Sequence, residues 1–262
     1  MTYPTTVVSG YWACTNKHGN KFASWFENTL LVNCPYVFFG TADTIAAVKR
    51  IRRGLPTHCV ELELADFHTR LYASDFVVHP VHCPSQELNM LWNEKLFLVQ
   101  RAARLNPFGS EWFAWVDAGI CTYRTSPPPA ATWPAQSKMR HLPKNKVIFT
   151  TSRSPLFSRY LASGKRYYHC IAGTAYLVHN SFLDQFATLY DSYLSRYVPT
   201  RATTYTDQVI LTLLYKDCPD LFHRLGHGYG AALPLLYDIP PDQFKGTTFL
   251  ERAGRWCGLS SL

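Results

Sequence analysis

The sequence predicts an α/β fold in which a mostly parallel central sheet carries helices on both faces. Three observations point there. The runs Thr6-Val7-Val8, Tyr36-Val37-Phe38-Phe39 and Trp112-Phe113-Ala114-Trp115-Val116 are apolar throughout, as strands buried on both faces are. Stretches of helical periodicity separate them, giving a βαβαβ order that favours parallel strands joined by crossover helices. No linker interrupts the 262 residues, so a single domain is expected, with residues 1–120 and 121–262 as its approximate halves.

The first strand runs into Ser9-Gly10-Tyr11-Trp12, a glycine-bearing loop of the kind that meets ligands. After the polar turn Asn16-Lys17-His18-Gly19, Phe22, Phe26 and Leu30 recur at helical spacing with Trp25 beside them. Cys34 to Gly40 is the second strand, Asp43 to Arg53 a helix with Ile45 and Val48 inward, and His58 to Leu64 a third strand. Gly54 follows the basic run Lys49-Arg50-Ile51-Arg52-Arg53 as a helix stop, so the run reads as a solvated helix end. Ser163-Gly164-Lys165-Arg166 reads as a solvated loop. Residues 65–84 give no clear element, and Pro80 spoils the His79-x-x-His82 spacing as a helical metal motif.

A long helix from Ser85 to about Leu105 carries the stripe Leu88, Leu91, Trp92, Leu96 and Val99, with Asn93, Glu94 and Lys95 expected on its exposed face. The strand from Trp112 ends on Asp117, with Gly119 two residues on. A carboxylate there stands at the rim where α/β sheets bind ligands. Four prolines between Pro127 and Pro134 describe a stiff loop. Lys146 to Thr150 and Tyr168 to Val178 follow as strands, and Gly173-Thr174 inside the second marks a bulge or a close approach. Ser181 with Asp184 resembles a capping box before an amphipathic helix. Thr206-Asp207-Gln208 opens another helix, where Asp207 complements the dipole or faces a ligand. His227 lies among Gly226, Gly228 and Gly230 and is accessible to a ligand.

Composition narrows the function. Hydrophobic residues form 47% of the chain and aromatics 15%, too much apolar surface for a disordered protein. A formal charge of +8 suggests an anionic partner. The eight cysteines include no C-x-x-C pair, which argues against structural zinc. No apolar run reaches membrane-spanning length and the amino terminus lacks signal-peptide features, so a soluble cytoplasmic protein is expected, with peripheral membrane association possible.

Ser9-Gly10-Tyr11-Trp12, Phe22 to Leu30, Trp92-Asn93-Glu94-Lys95, Trp115-Val116-Asp117-Ala118-Gly119 and Thr206-Asp207-Gln208 together resemble the HtrL/YibB family. That family includes WlaTC-like proteins found among bacterial surface-glycan functions, and the likeness runs from about Thr6 to about Gly230. The resemblance implies a GT-A-like (Rossmann-like) fold and a glycosyltransferase acting on a nucleotide-sugar, UDP-sugar being the expected donor, with a glycan or other hydroxyl as acceptor. It implies Asp117 as a metal ligand, Asp207 as the catalytic residue that removes the proton of the acceptor hydroxyl or orients that hydroxyl, Ser9, Gly10, Tyr11, Lys95 and Gly119 as donor contacts, and Gly173, Thr174 and Gln208 on the acceptor side. The Asp-x-Asp metal motif of that fold is reduced here to Asp117-Ala118-Gly119, so His227 is named as the completing ligand and Mn²⁺ is expected over Mg²⁺. Two other functions stay open at this level: an inactive relative that binds a nucleotide, and a basic nucleic-acid-binding protein, which lacks motif support.

Overall fold

Thr5–Tyr11 forms β1, Tyr36–Gly40 forms β2 and Thr57–Glu61 forms β3, linked by α1 (Phe22–Thr29) and α2 (Ala42–Ile51). The computed structural model describes residues 3–152 and 169–239, so Ser163 to Arg166 and Tyr168 lie outside the described residues. Gln86–Leu105 is α3, Trp112–Val116 is β4, Val147–Thr151 is β5 and Ile171–His179 is β6. Asn180–Tyr197 is α4, Asp207–Asp217 is α5 and Phe222–His227 is β7.

The seven strands make one sheet in the order β3-β2-β1-β4-β6-β5-β7. β1, β2, β3 and β4 are mutually parallel, β5 is parallel to β7, and β6 runs antiparallel to both its neighbours. The chain steps outward from β1 to β3 and returns to place β4 on the other side of β1. The switch point therefore lies between β1 and β4, where open sheets leave a crevice at their carboxyl ends.

Both faces of the sheet are covered, which accounts for the apolar runs. Val8, Val37, Phe39, Phe113, Trp115, Phe149 and Val178 pack in one core with α3, α4 and α5. Their chain neighbours Val7, Tyr36, Phe38, Ala114, Val116, Ile148 and Leu177 enter the other core, with Phe26 of α1 and Val48 of α2. The period-2 alternation of strands is thus present, but both sides are dry.

Several local expectations change. β7, to which the sequence assigned no element, is a strand because pairing with β5 supplies its hydrogen bonds. α4 is capped by His179, whose Nδ1 accepts from Ser181 N, while Asp184 bonds Gln100 and Arg104 instead of closing a capping box. Residues 65–84 contain two stretches of 3-10 helix, Leu64–Asp66 and His68–Asp75. Asn93, Glu94 and Lys95 do not face solvent but are 0%, 0% and 5% exposed, because each meets a polar partner from a neighbouring segment. Asn93 bonds Tyr205 O and Tyr190 Oη, and Glu94 accepts from the backbone N–H groups of His68 and Thr69.

Arg52 is a further correction, since it is buried rather than solvated. It donates to the carbonyls of Leu30, Val32, Cys34 and Pro56 and to Thr57 Oγ1, and its guanidinium lies 3.6 Å over the Tyr36 ring. Gly54, with φ 87°, ends the helical run just beyond it. Arg52 ties together the loop ends beside β2, sharing the Pro56 carbonyl with Tyr36 N and the Val32 carbonyl with Cys34 N. Arg52→Met keeps the stem but takes away the donors to the Leu30 and Cys34 carbonyls, so a loss of at least about 3 kcal/mol is expected in a urea unfolding titration.

Candidate active site

A cavity of about 790 Å³ opens at the switch point, a volume suited to a ligand of nucleotide-sugar size. Gly10 and Tyr11 reach it from the end of β1, Asp117 and Gly119 from the end of β4, and Asp207 and Gln208 from the first turn of α5. Because β6 is antiparallel, its first residues rather than its last come to this rim, and Gly173 and Thr174 line the cavity. The backbone N–H of Asp117 donates to Thr174 O at 2.9 Å, continuing the ladder past the end of β4.

Lys95 stands at the centre. Its Nζ lies 3.0 Å from Asp117 Oδ1, 3.0 Å from Asp207 Oδ2 and 3.1 Å from Gly173 O. The Asp207 side chain is 5% exposed and that of Asp117 30%, so both line the cavity but Asp117 is the more open of the two. Burying an ammonium costs several kcal/mol, which two carboxylates and a carbonyl at hydrogen-bond distance offset. Burial alone would lower the Lys95 pKa, but Asp117 and Asp207 outweigh it and hold the ammonium above the usual lysine range. Burial pushes the Asp207 carboxyl up against the opposing pull of Lys95, and Asp117 adds to the rise.

Local structure aims each group. Trp115 Nε1 donates to Asp117 Oδ1 at 2.7 Å, fixing that carboxylate on its own strand. Thr206 stands at the cap position of α5, and Asp207, the first residue of the helix, has its carboxylate turned to Lys95. A Cβ on Gly173 would collide with that carboxylate and with Gln208. What approaches Gly173 closely is the Asp207 side chain of the same chain, where the sequence suggested a bulge or a ligand.

Two residues stand elsewhere. Ser9 is fully buried and does not line the cavity; its Oγ donates to Val116 O at 2.7 Å, joining β1 to β4 beneath the rim. His227 ends β7, with β5 and β6 between it and β4, and its Nδ1 faces Thr151 Oγ1. Burial, with Arg224 nearby, pushes the His227 pKa down. The structure does not bring His227 to Asp117, and no group of three or more His, Cys, Asp or Glu side chains among the described residues is placed to hold a metal ion. With Lys95 already seated against the one rim carboxylate, these residues do not fit a divalent ion.

Other lining residues carried no site role in the sequence. Lys17 and His18 come from the turn after β1, and Arg124 from the loop after Gly119. Trp12 and Trp92 add aromatic wall, and His169 and Tyr229 meet at 3.2 Å between the Tyr229 Oη and His169 Nε2. Proximity of Arg124 to Gly119 in sequence was the one available signal; the others reach the cavity only through the turns that carry them. Gly119 itself is required by packing, since a Cβ there would meet the Phe22 ring at 2.7 Å.

The charge balance makes a pH-dependent prediction. In Lys95→Met the two carboxylates lose their shared cation, so the folded-state pKa of Asp207 rises further above its unfolded value. The folded variant then keeps a proton that the unfolded chain releases, and its stability falls as pH rises from about 4 to about 7. In the native chain Lys95 is charged in both states across that range and contributes a constant amount. Urea titrations should therefore show a deficit for Lys95→Met that is small at about pH 4 and larger at about pH 7.

Comparison with known proteins bears on this arrangement. Mouse xyloside xylosyltransferase 1 in its apo form superposes with a TM-score of 0.51 at 11% identity, covering 86% of this chain and 85% of that one, a likeness of fold. The glycosyltransferase GlyE of Streptococcus pneumoniae TIGR4 superposes with a TM-score of 0.42 at 12% identity, over 86% of this chain and 45% of its own. No curated protein shows significant sequence similarity. Among the described residues no helix is long and apolar enough to cross a membrane. The family described as "Bacterial protein of unknown function (HtrL_YibB)" matches residues 57–233, which takes in α3, β4 and the start of α5, and the chain belongs to that family.

Proposed function

We propose that the chain is a glycosyltransferase that moves a hexose or pentose from a nucleotide-sugar, a UDP-sugar in the first instance, to a hydroxyl of a glycan acceptor. The observation that carries this reading is the Asp117-Lys95-Asp207 constellation on the wall of a cavity at the sheet's carboxyl rim. The fold likeness to a xylosyltransferase supports it. A sugar presents hydroxyls that donate, and the carboxylates that Lys95 holds in place offer acceptors for them. Gly10, Tyr11, Lys95, Asp117 and Gly119 form the donor side, and Gly173, Thr174 and Gln208 the acceptor side.

In the proposed reaction the acceptor oxygen attacks the anomeric carbon and the bond from that carbon to the diphosphate oxygen breaks. The hydroxyl proton passes to Asp207, and the electron pair of the broken bond leaves on the diphosphate. Burial raises the Asp207 pKa, which strengthens it as a base, and Lys95 opposes that rise. Gln208 donates to Ile171 O at 3.1 Å, which holds the turn beside Asp207 in place.

Asp207→Asn separates this role from a purely structural one. Asn retains the shape but removes one of the two charges that hold the buried Lys95, so the melting temperature should fall, while at a temperature where the variant remains folded UDP affinity should stay near native. UDP release from a panel of UDP-hexoses and UDP-pentoses should drop by about 10²–10⁴-fold. Full activity in this variant, or a fall that tracks unfolding, would remove Asp207 from the chemistry.

A further inference from the structure

Resting on the glycosyl-transfer reading, we infer that Arg124 and Lys17 form an anion site in the cavity wall that holds the donor's diphosphate without a divalent ion. Four observations carry this. The first is the poor fit for a metal: the one rim carboxylate, Asp117, already accepts from Lys95 and Trp115 through Oδ1, and His227 stands apart.

The second is the geometry of Arg124. Its guanidinium lies 3.7 Å over the Trp25 ring and its Nε donates to Gly119 O at 2.9 Å, so the plane of the group is set before any ligand arrives. Among the described residues nothing accepts from its Nη atoms. A half-buried, oriented guanidinium with free donors is the side chain best matched to a phosphate's paired oxygens.

Uncompensated charge is the third. Arg124 and Lys17 line the cavity, and neither they nor Lys21 forms an ion pair among the described residues. All three act on His18, which lies beside Trp25; burial together with these cations lowers its pKa to about 4. The ring is therefore neutral near pH 7, and the positive charge around it is left for a bound anion to offset.

The fourth is the state of the carboxylates. An anionic donor beside Asp117 and Asp207 would be repelled, but Lys95 at 3.0 Å from each offsets one of the two negative charges in the floor on which the sugar would sit. Internal lysine and wall arginine thereby divide the work that one divalent ion performs elsewhere: reducing the charge of the carboxylates and stabilising the leaving diphosphate.

The test is calorimetric titration of the whole chain with inorganic diphosphate and with UDP, in EDTA and again with Mn²⁺. Binding of both is expected in EDTA, with a change of no more than about twofold on adding Mn²⁺ and a loss of about tenfold in Arg124→Gln. Since Arg124 also packs on Trp25, Lys17→Gln is the second variant; Lys17 is exposed, and a loss of about threefold is expected there. Lys144→Gln, an equal change of charge next to Glu111, should bind as the native chain does. Binding that needs Mn²⁺, binding unchanged in both cavity variants, or no binding of either probe would each overturn the inference. Consumption of UDP-sugars is measured in parallel. Arg124-dependent diphosphate binding without any sugar transfer would sink the glycosyltransferase reading and leave the anion site standing, whereas transfer that requires Mn²⁺ would do the reverse.

Discussion

A single buried ammonium organises this molecule. Lys95 projects from the middle of α3 to the end of β4, the start of α5 and the third residue of β6, and it bonds a group on each. None of these partners would be stable there alone, since an unpaired carboxylate or ammonium in the interior costs several kcal/mol. The three elements must therefore arrive together. Their convergence fixes the shape of the cavity and leaves Asp117 as its more exposed carboxylate.

Two features of the sheet make the convergence possible. The reversal of strand order between β1 and β4 opens the crevice, and the antiparallel β6 turns a strand beginning toward a rim otherwise built from strand ends. Gly173 then lets the α5 carboxylate approach the backbone, because any side chain would occupy the place of Asp207. Asp207 thus depends on a residue on a different element for its position, as it depends on Lys95 for its charge.

The polar centre of α3 and Arg52 show one rule on opposite faces of the sheet. Asn93, Glu94 and Lys95 each reach a different neighbouring segment, and Arg52 gathers carbonyls from the loops around β2. Each is buried because its hydrogen-bonding groups are met inside, which is the condition for burying a polar side chain at all. Arg124 differs: its Nε and its flat face are engaged, and its remaining donors are not. That difference separates the cations that hold the fold from the one best placed to hold a ligand.

The apolar runs of β1, β2 and β4, the periodicity of α3 and the βαβαβ order determined the α/β class and the parallel half of the sheet, because burial on both faces leaves a direct mark on composition. The same local signals placed Asp117 at a strand end and Asp207 at a helix start. Tertiary structure decided what those carboxylates meet. Nothing local distinguishes the buried Lys95 and Arg52 from solvated helix lysines and arginines, since burial of a charge is set by partners far away in the chain: Asp207 lies 112 residues from Lys95. His227 shows the converse, for its glycine neighbours suggested access to a ligand while pairing with β5 made it part of a strand. The antiparallel turn of β6 and the inward reach of Arg124 were likewise fixed by packing, because strand direction and loop path depend on which surfaces remain to be covered once the local elements have formed.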